Sequence, residues 1–258
     1  MTTDDLPASR GIRQGESGIL SATGSAQASA SAGESAQATA PASASWTGQK
    51  GRPTRLLLLR HGQTALSVDR RYSGRSDPEL TELGLAQVAG VAAGIGSVEQ
   101  ADQVSVALSS PLRRARQTAE PVAAALGVSV KTHDGLLETD FGDWDGLTFA
   151  EARERDPELH RGWLGDETVP PPGGESFAAV GARIARLRDE LLATYPGETL
   201  LLVSHVTPIK MLVRIALDVG SSVLYRMHLD LASLSIADFY PDGGASVRLV
   251  NGRFPVAT

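Results

Sequence analysis

The chain has no cysteine. That absence excludes disulfides, thiolate zinc sites and a cysteine nucleophile, and it fits a reducing compartment. The opening stretch Met1 to Arg10 carries Asp4 and Asp5 and lacks the apolar region of a secretory signal. No apolar run approaches the roughly 20 residues needed to span a bilayer. There is no excess of basic charge either: the formal net charge over 258 residues is −6. No overall basic footprint therefore points to nucleic acid or to an anionic membrane surface, although such an average leaves room for a local basic pocket. These absences predict a cytoplasmic protein with no membrane partner and no direct nucleic-acid binding.

Residues 1–52 lack what a core requires. Ser21 to Ser45 is almost entirely Ala, Ser, Gly, Thr and Gln, without an aromatic residue or any Leu, Ile or Val. So little apolar surface cannot offset an ordering cost of roughly 1–2 kcal/mol per residue. The segment reads as a disordered tail or linker, which raises the expectation that the chain is the back half of something larger. A single domain is expected over 53–258, where the apolar content, 41% for the whole chain, is sufficient for a real core.

What is present from Arg55 onward is alternation. Arg55 to Leu59, Val104 to Leu108, Val128 to Thr132 and Thr199 to Ser204 read as strands. So do Leu234 to Tyr240 and Ala245 to Val250, joined by a turn at Asp242-Gly243-Gly244. Helices are expected over Thr81 to Ile95 with Thr81 as N-cap, over Pro111 to about Leu126 with Ser110 as N-cap, over Thr148 to Arg155 and over Ser176 to Tyr195. A further helix should run to Leu217 from Thr207 as N-cap and Pro208 at the first helical position. Pro121 should kink or shorten the second of these helices. The pattern predicts an α/β fold: a mostly parallel sheet with helices on both faces.

Two buried strands end in histidine. Leu56-Leu-Leu-Leu59 runs into Arg60-His61-Gly62, and Leu200-Leu-Leu-Val-Ser204 runs into His205. The C-terminal edge of an open α/β sheet is where ligands bind. A neutral imidazole is a competent nucleophile toward phosphorus. A phosphate monoester is close to a dianion at neutral pH and calls for fixed positive charge, which guanidinium supplies bidentately. Gly62 allows the backbone to approach a ligand or to take a positive φ. A second cationic group, Arg113, Arg114 and Arg116, opens a helix directly after a strand, where free N–H groups also suit phosphate. Spacing does not decide which of the three points inward. A leaving alkoxide needs a proton, and Glu138, Asp140 and Asp143 are rivals for that role on chemistry alone. His133, His160 and His228 read as structural or solvated. Trp144 and Trp163 read as packing residues, and Glu175 as a charge favouring a helix N-terminus.

Four blocks in this order carry a resemblance: Arg60-His61-Gly62-Gln63-Thr64, Ser110-x-Leu-x-Arg114-Ala115, Leu137-Glu138-x-x-Phe-Gly142-x-Trp144-x-Gly146 and Val203-Ser204-His205. Over about residues 54–252 the chain resembles the histidine phosphatase superfamily, also called phosphoglycerate mutase-like. The resemblance implies a phosphohistidine on His61, phosphate clamps at Arg60, Arg114 and His205, and proton donation by Glu138. It selects Arg114 because the family's arginine precedes an alanine. It implies no metal and no cofactor. It places Gln63, Thr64, Ser67, Ser73, Gly74 and Val206 at the substrate, with Tyr72-Ser73-Gly74 similar to a pocket-lining loop. Ser67 stands where the family often has asparagine, and Val206 where it often has glycine.

The branch resembled most contains α-ribazole phosphatases and broad acid phosphatases. In actinobacteria that branch also stands behind an RNase H-like domain, as the C-terminal half of an RNase H/acid phosphatase fusion. The reading is a metal-independent phosphomonoester hydrolase acting on a small phosphorylated metabolite, with α-ribazole phosphate as a candidate substrate. A phosphoglycerate mutase is the first alternative. It is disfavoured because the stretch from Glu138 to His205 is short beside the mutases, which often carry extra basic residues there. A non-catalytic phospho-ligand binding module is the second, and it is at odds with five filled catalytic positions. Oligomeric state is left open, a homodimer included.

Overall fold

An unbroken run of leucines suits a strand that is covered on both faces. In the structure, a computed structural model that describes residues 48–256, this run is the middle of β1 (Thr54–Arg60). The chain continues through α1 (Ala65–Val68), α2 (Glu82–Gly94), β2 (Val104–Ser109), α3 (Arg113–Ala125), β3 (Val130–Thr132), α4 (Phe149–Arg155) and α5 (Pro157–Gly165). It ends with α6 (Phe177–Thr194), β4 (Thr199–Ser204), α7 (Val206–Leu217), α8 (Val223–Arg226), β5 (Leu234–Phe239) and β6 (Ala245–Gly252). The tail expected over 1–52 lies, up to residue 47, outside the described residues.

The six strands form one sheet in the order β3-β2-β4-β1-β5-β6. Its β3, β2, β4 and β1 pair in parallel, and β5 and β6 add an antiparallel edge. Leu57, Leu59, Leu201 and Val203 face a cluster built with Val88 and Val91 of α2 and Ala119 and Val122 of α3. Leu56, Leu58, Leu200 and Leu202 face the other cluster, with Ile184 and Leu187 of α6 and Met211 and Leu212 of α7. Each fully buried leucine contributes about 1.5–3 kcal/mol, so the two leucine runs anchor both layers at once. Among the described residues no helix is long and apolar enough to cross a membrane.

Several local expectations are corrected. α3 begins at Arg113 with Leu112 as its N-cap and no side-chain cap; the Ser110 hydroxyl meets His205 Nε2 at 2.8 Å and accepts from the Leu112 N–H only at 3.4 Å. α7 begins at Val206 with His205 as N-cap, so Thr207 lies inside its first turn. α3 runs unbroken through Pro121. The proline sits on the exposed side while Ala119, Val122 and Ala123 are buried, and burial of that face holds the helix despite one missing N–H. The third strand is shorter than expected, starting at Val130. α1, α5 and α8 were not anticipated; for α5 the signal existed, with Asp156 at the N-cap and Pro157 at the first helical position.

Candidate active site

Parallel pairing in register brings the two histidine-bearing strand ends together. Arg60 of β1 lies opposite Ser204 of β4, and the His61 N–H donates to the Ser204 carbonyl at 3.0 Å. The next residues, His61 and His205, therefore stand side by side, with ring centroids 5.1 Å apart and planes tilted by 60°. β2 ends against β4 as well, with Ser109 opposite Val203, which delivers Ser110 to the same edge.

The His61 ring is oriented by its own chain. Nδ1 lies 2.8 Å from the Gly62 carbonyl oxygen. Only a protonated Nδ1 can donate that bond, so the neutral ring carries its lone pair on Nε2. Burial, then the charges of Arg114 and Arg60, push the His61 pKa well below 6.5. The ring is therefore neutral at neutral pH, with the Nε2 lone pair available. His205 is also held well below 6.5, by burial first and then by Arg114 and His61. Its Nε2 meets the Ser110 hydroxyl at 2.8 Å, and its buried Nδ1 has no hydrogen-bond partner.

Gly62 turns out to serve packing. Its φ is not positive, and a Cβ there would lie 2.8 Å from the Gly84 carbonyl oxygen of α2. The contact is reciprocal, since a Cβ on Gly84 would lie 2.2 Å from the Gln63 carbonyl oxygen. Two glycines thus let the loop leaving β1 cross the start of α2 closely. Thr118 fixes the loop from the other side, accepting from the Gly62 N–H at 3.1 Å and donating to the Arg114 carbonyl at 2.8 Å.

Of the three arginines at the start of α3, Arg114 is fully buried and Arg113 and Arg116 are exposed. The Arg114 guanidinium is held by the carbonyls of Ser76 (2.7 Å), Gly74 (3.0 Å) and Ser73 (3.1 Å). Arg60 donates to the Leu229 carbonyl at 2.5 Å. The Nε of both arginines is buried without a partner. Burial lowers the Arg60 pKa to about 10 despite nearby Glu138 and Asp230, so it stays charged at neutral pH. Glu138 is buried; its Oε1 accepts from the Thr139 N–H at 2.8 Å, and its Oε2 lies 3.5 Å from the Thr207 N–H of α7.

The loop that carries Glu138 is pinned by residues the sequence reading did not assign there. Arg183 of α6 donates to the carbonyls of Gly135 and Leu137, each at 2.8 Å. Glu175 does not cap α6; it accepts from the Asp140 N–H at 2.9 Å and pairs with Arg183 and Arg75, each at 3.1 Å. Burial favours its neutral form, but the Asp140 bond and these cations hold its pKa below the ordinary value. Asp140 and Asp143 point elsewhere, Asp140 toward Arg75 and Asp143 toward Arg155.

A cavity of about 710 Å³ opens at this edge, lined on its polar side by Arg60, His61, Ser73, Glu138, Thr207 and Lys210. Thr64, Ser67 and Val206 also line it, Thr64 and Ser67 while forming the capping box of α1. Arg114 and His205 are fully buried behind this lining. Two of the expected substrate residues sit elsewhere. Gln63 does not line the cavity, and its Oε1 accepts from the Thr81 hydroxyl. Gly74 serves Arg114 through its carbonyl, and a Cβ there would strike the Thr139 carbonyl at 2.5 Å. Lys210, four residues beyond Val206 on α7, reaches the cavity unanticipated; helical spacing was the available signal.

A neutral imidazole with Arg114 and Arg60 close by, at the C-terminal edge of a mostly parallel sheet, is an arrangement suited to holding a phosphate group. The chain belongs to the histidine phosphatase superfamily (branch 1), whose profile matches residues 56–252. Among particular relatives, it is 58% identical over 231 residues to the Bifunctional protein Rv2228c of Mycobacterium tuberculosis, a match covering 90% of this chain and 63% of that relative. The chain thus spans less than two thirds of that relative's length. A mycobacterial glucosyl-3-phosphoglycerate phosphatase in complex with VO3 superposes with a TM-score of 0.68 at 32% identity, covering 77% of this chain and 99% of the other. The alpha-ribazole phosphatase of Shigella flexneri superposes with a TM-score of 0.69 at 27% identity, covering 80% of this chain and all, 100%, of that one.

Proposed function

We propose that this domain is a metal-independent phosphomonoester hydrolase that works through a phosphohistidine on His61. The observation that carries the reading is the His61 ring itself: Nδ1 tied to the Gly62 carbonyl at 2.8 Å, Nε2 left without a protein partner, and the charges of Arg114 and Arg60 near enough to hold the ring neutral. Nε2 attacks phosphorus while the bond to the leaving oxygen breaks. Glu138, as the acid, gives that oxygen its proton. Water then attacks the phosphohistidine, loses its proton to the Glu138 carboxylate, and inorganic phosphate leaves. Arg60 and Arg114 neutralise the transferring group, and His205 adds donors to it once phosphate charge offsets the arginines.

The substrate we infer is a small phosphorylated metabolite met in the cytoplasm. Similarity to the alpha-ribazole phosphatase supports α-ribazole phosphate as a candidate. Acid phosphatase behaviour fits a nucleophile that stays neutral in mild acid. The decisive experiment is a phosphomonoester panel with and without chelator, with rapid quench into alkali. Phosphate release that survives chelation, with phosphate trapped on His61 and both lost in His61→Ala, is the expected outcome. Turnover without any phosphohistidine overturns the mechanism. Isomerisation of 3-phosphoglycerate without release of inorganic phosphate would make it a mutase.

A further inference from the structure

The chain holds only three tryptophans, four tyrosines and five phenylalanines. Half of them, Tyr72, Phe141, Phe149, Trp163, Phe177 and Tyr225, line the cavity that holds His61. Four of these rings have an ordinary explanation. Tyr72, Phe141, Trp163 and Phe177 are buried and packed on one another, with centroids 4.8 Å apart for Tyr72 and Phe141 and 5.0 Å for Trp163 and Phe177.

Phe149 and Tyr225 do not share that explanation. They are 53% and 45% exposed, and they are the exposed large aromatics among the described residues. Leu164 beside them is 43% exposed. Neither ring hangs loose. Phe149 lies against Tyr72 with centroids 4.5 Å apart, and the Tyr225 hydroxyl donates to the Trp163 carbonyl at 3.2 Å. Fixed apolar rings at the mouth of a polar pocket mark a place where part of a ligand takes the place of water.

The cations of the same mouth are mostly committed to the protein. Lys210 donates to the Leu224 carbonyl at 2.6 Å, and Arg71 to Glu151 and to the Gly146 carbonyl, each at 2.9 Å. Arg70 remains as an exposed charge at the rim. A second anionic group on the substrate would find one solvated guanidinium there, whereas a flat apolar group would find a prepared wall.

We propose that the leaving alcohol carries a planar, apolar group of one or two rings, seated against Phe149 and Tyr225 while the phosphoryl group lies at His61. This deepens the hydrolase reading and rests on it for the placement of the phosphoryl group. The test is therefore made on binding, independently of turnover. Naphthylmethylphosphonate, methylphosphonate and 2-carboxyethylphosphonate are titrated calorimetrically into the wild type, Phe149→Ala and Tyr225→Ala. The wild type should bind the naphthylmethyl compound at least tenfold more tightly than the other two. Either substitution should shrink that ratio by roughly fivefold to tenfold, as loss of a stacking ring does elsewhere. Equal affinities, tightest binding of the carboxyethyl compound, or a ratio untouched in both variants overturns the proposal. Rings that instead cover a second copy would show as a sedimentation change in Phe149→Ala with the ratio intact, which also overturns it. Failure of the phosphomonoester panel would sink the hydrolase reading and leave this ranking of phosphonates to stand or fall alone.

Discussion

His61 and His205 are buried beside Arg114 and Arg60, and both resist protonation for that reason. The sign of the consequence follows from linkage. The unfolded chain takes up a proton on each ring below about pH 6.5, and the folded chain does not. Stability from these neutral rings is therefore complete above pH 6.5 and falls as the pH drops below it, by up to ~1.4 kcal/mol per pH unit for each ring. Urea titrations from pH 7.5 to 5 should show that decline, with a shallower slope in His61→Gln. Activity should follow another course: kcat/KM, corrected for the substrate's own second ionisation near pH 6, should stay flat through pH 6.5. An acid limb centred at 6.5 would show an ordinary imidazole. Glu138→Gln should slow hydrolysis of alkyl esters by roughly 10²–10⁴ and cost far less with a good aryl leaving group. Equal losses for both would remove Glu138 as the acid. At this scale chemistry alone could not choose among Arg113, Arg114 and Arg116. Burial separates them, and burial is a property of the folded helix.

At the scale of elements, the leucine runs and the N-caps Thr81, Thr148 and Ser176 were legible because each is a local pattern. Ser110 and Thr207 misled for the opposite reason. Both have the right local chemistry for an N-cap, but the Ser110 hydroxyl meets His205 across the sheet edge, and α7 starts at Val206, which leaves Thr207 in the first turn with its N–H 3.5 Å from Glu138. Gly84 shows how packing can reverse a local preference. In an α-helix, Gly→Ala is ordinarily worth about 1 kcal/mol of stabilisation. Here the new Cβ would meet the Gln63 carbonyl oxygen at 2.2 Å. Gly84→Ala should therefore destabilise by about 1–3 kcal/mol and slow turnover by displacing the loop that orients His61. A gain in urea midpoint would mean that α2 and the loop are less tightly joined than their geometry shows.

Across the whole molecule, the antiparallel edge is locked to the parallel centre by charge. Arg55 of β1 and Asp238 of β5 are direct cross-strand partners, paired at 2.7 Å and buried, and Arg248 of β6 binds the same carboxylate. Asp238→Ala leaves a buried guanidinium uncompensated and should cost about 3–5 kcal/mol, whereas replacing Arg55 and Asp238 together with apolar residues should cost much less. Equal losses for the single and double changes in denaturant titrations would show that shape, and not charge, matters there. Nothing in the sequence pairs positions 55 and 238. What the sequence determined on its own was the set of strands and helices, the two histidines at strand ends and the cationic chemistry available to them, because hydrophobic period and residue type act locally. The tertiary structure decided which strands are neighbours, which arginine is buried, how Glu175 and Arg183 hold the loop of Glu138, and which rings gather at the cavity mouth. Those outcomes depend on contacts between residues far apart in the chain, and such contacts exist only once the layers have closed on one another.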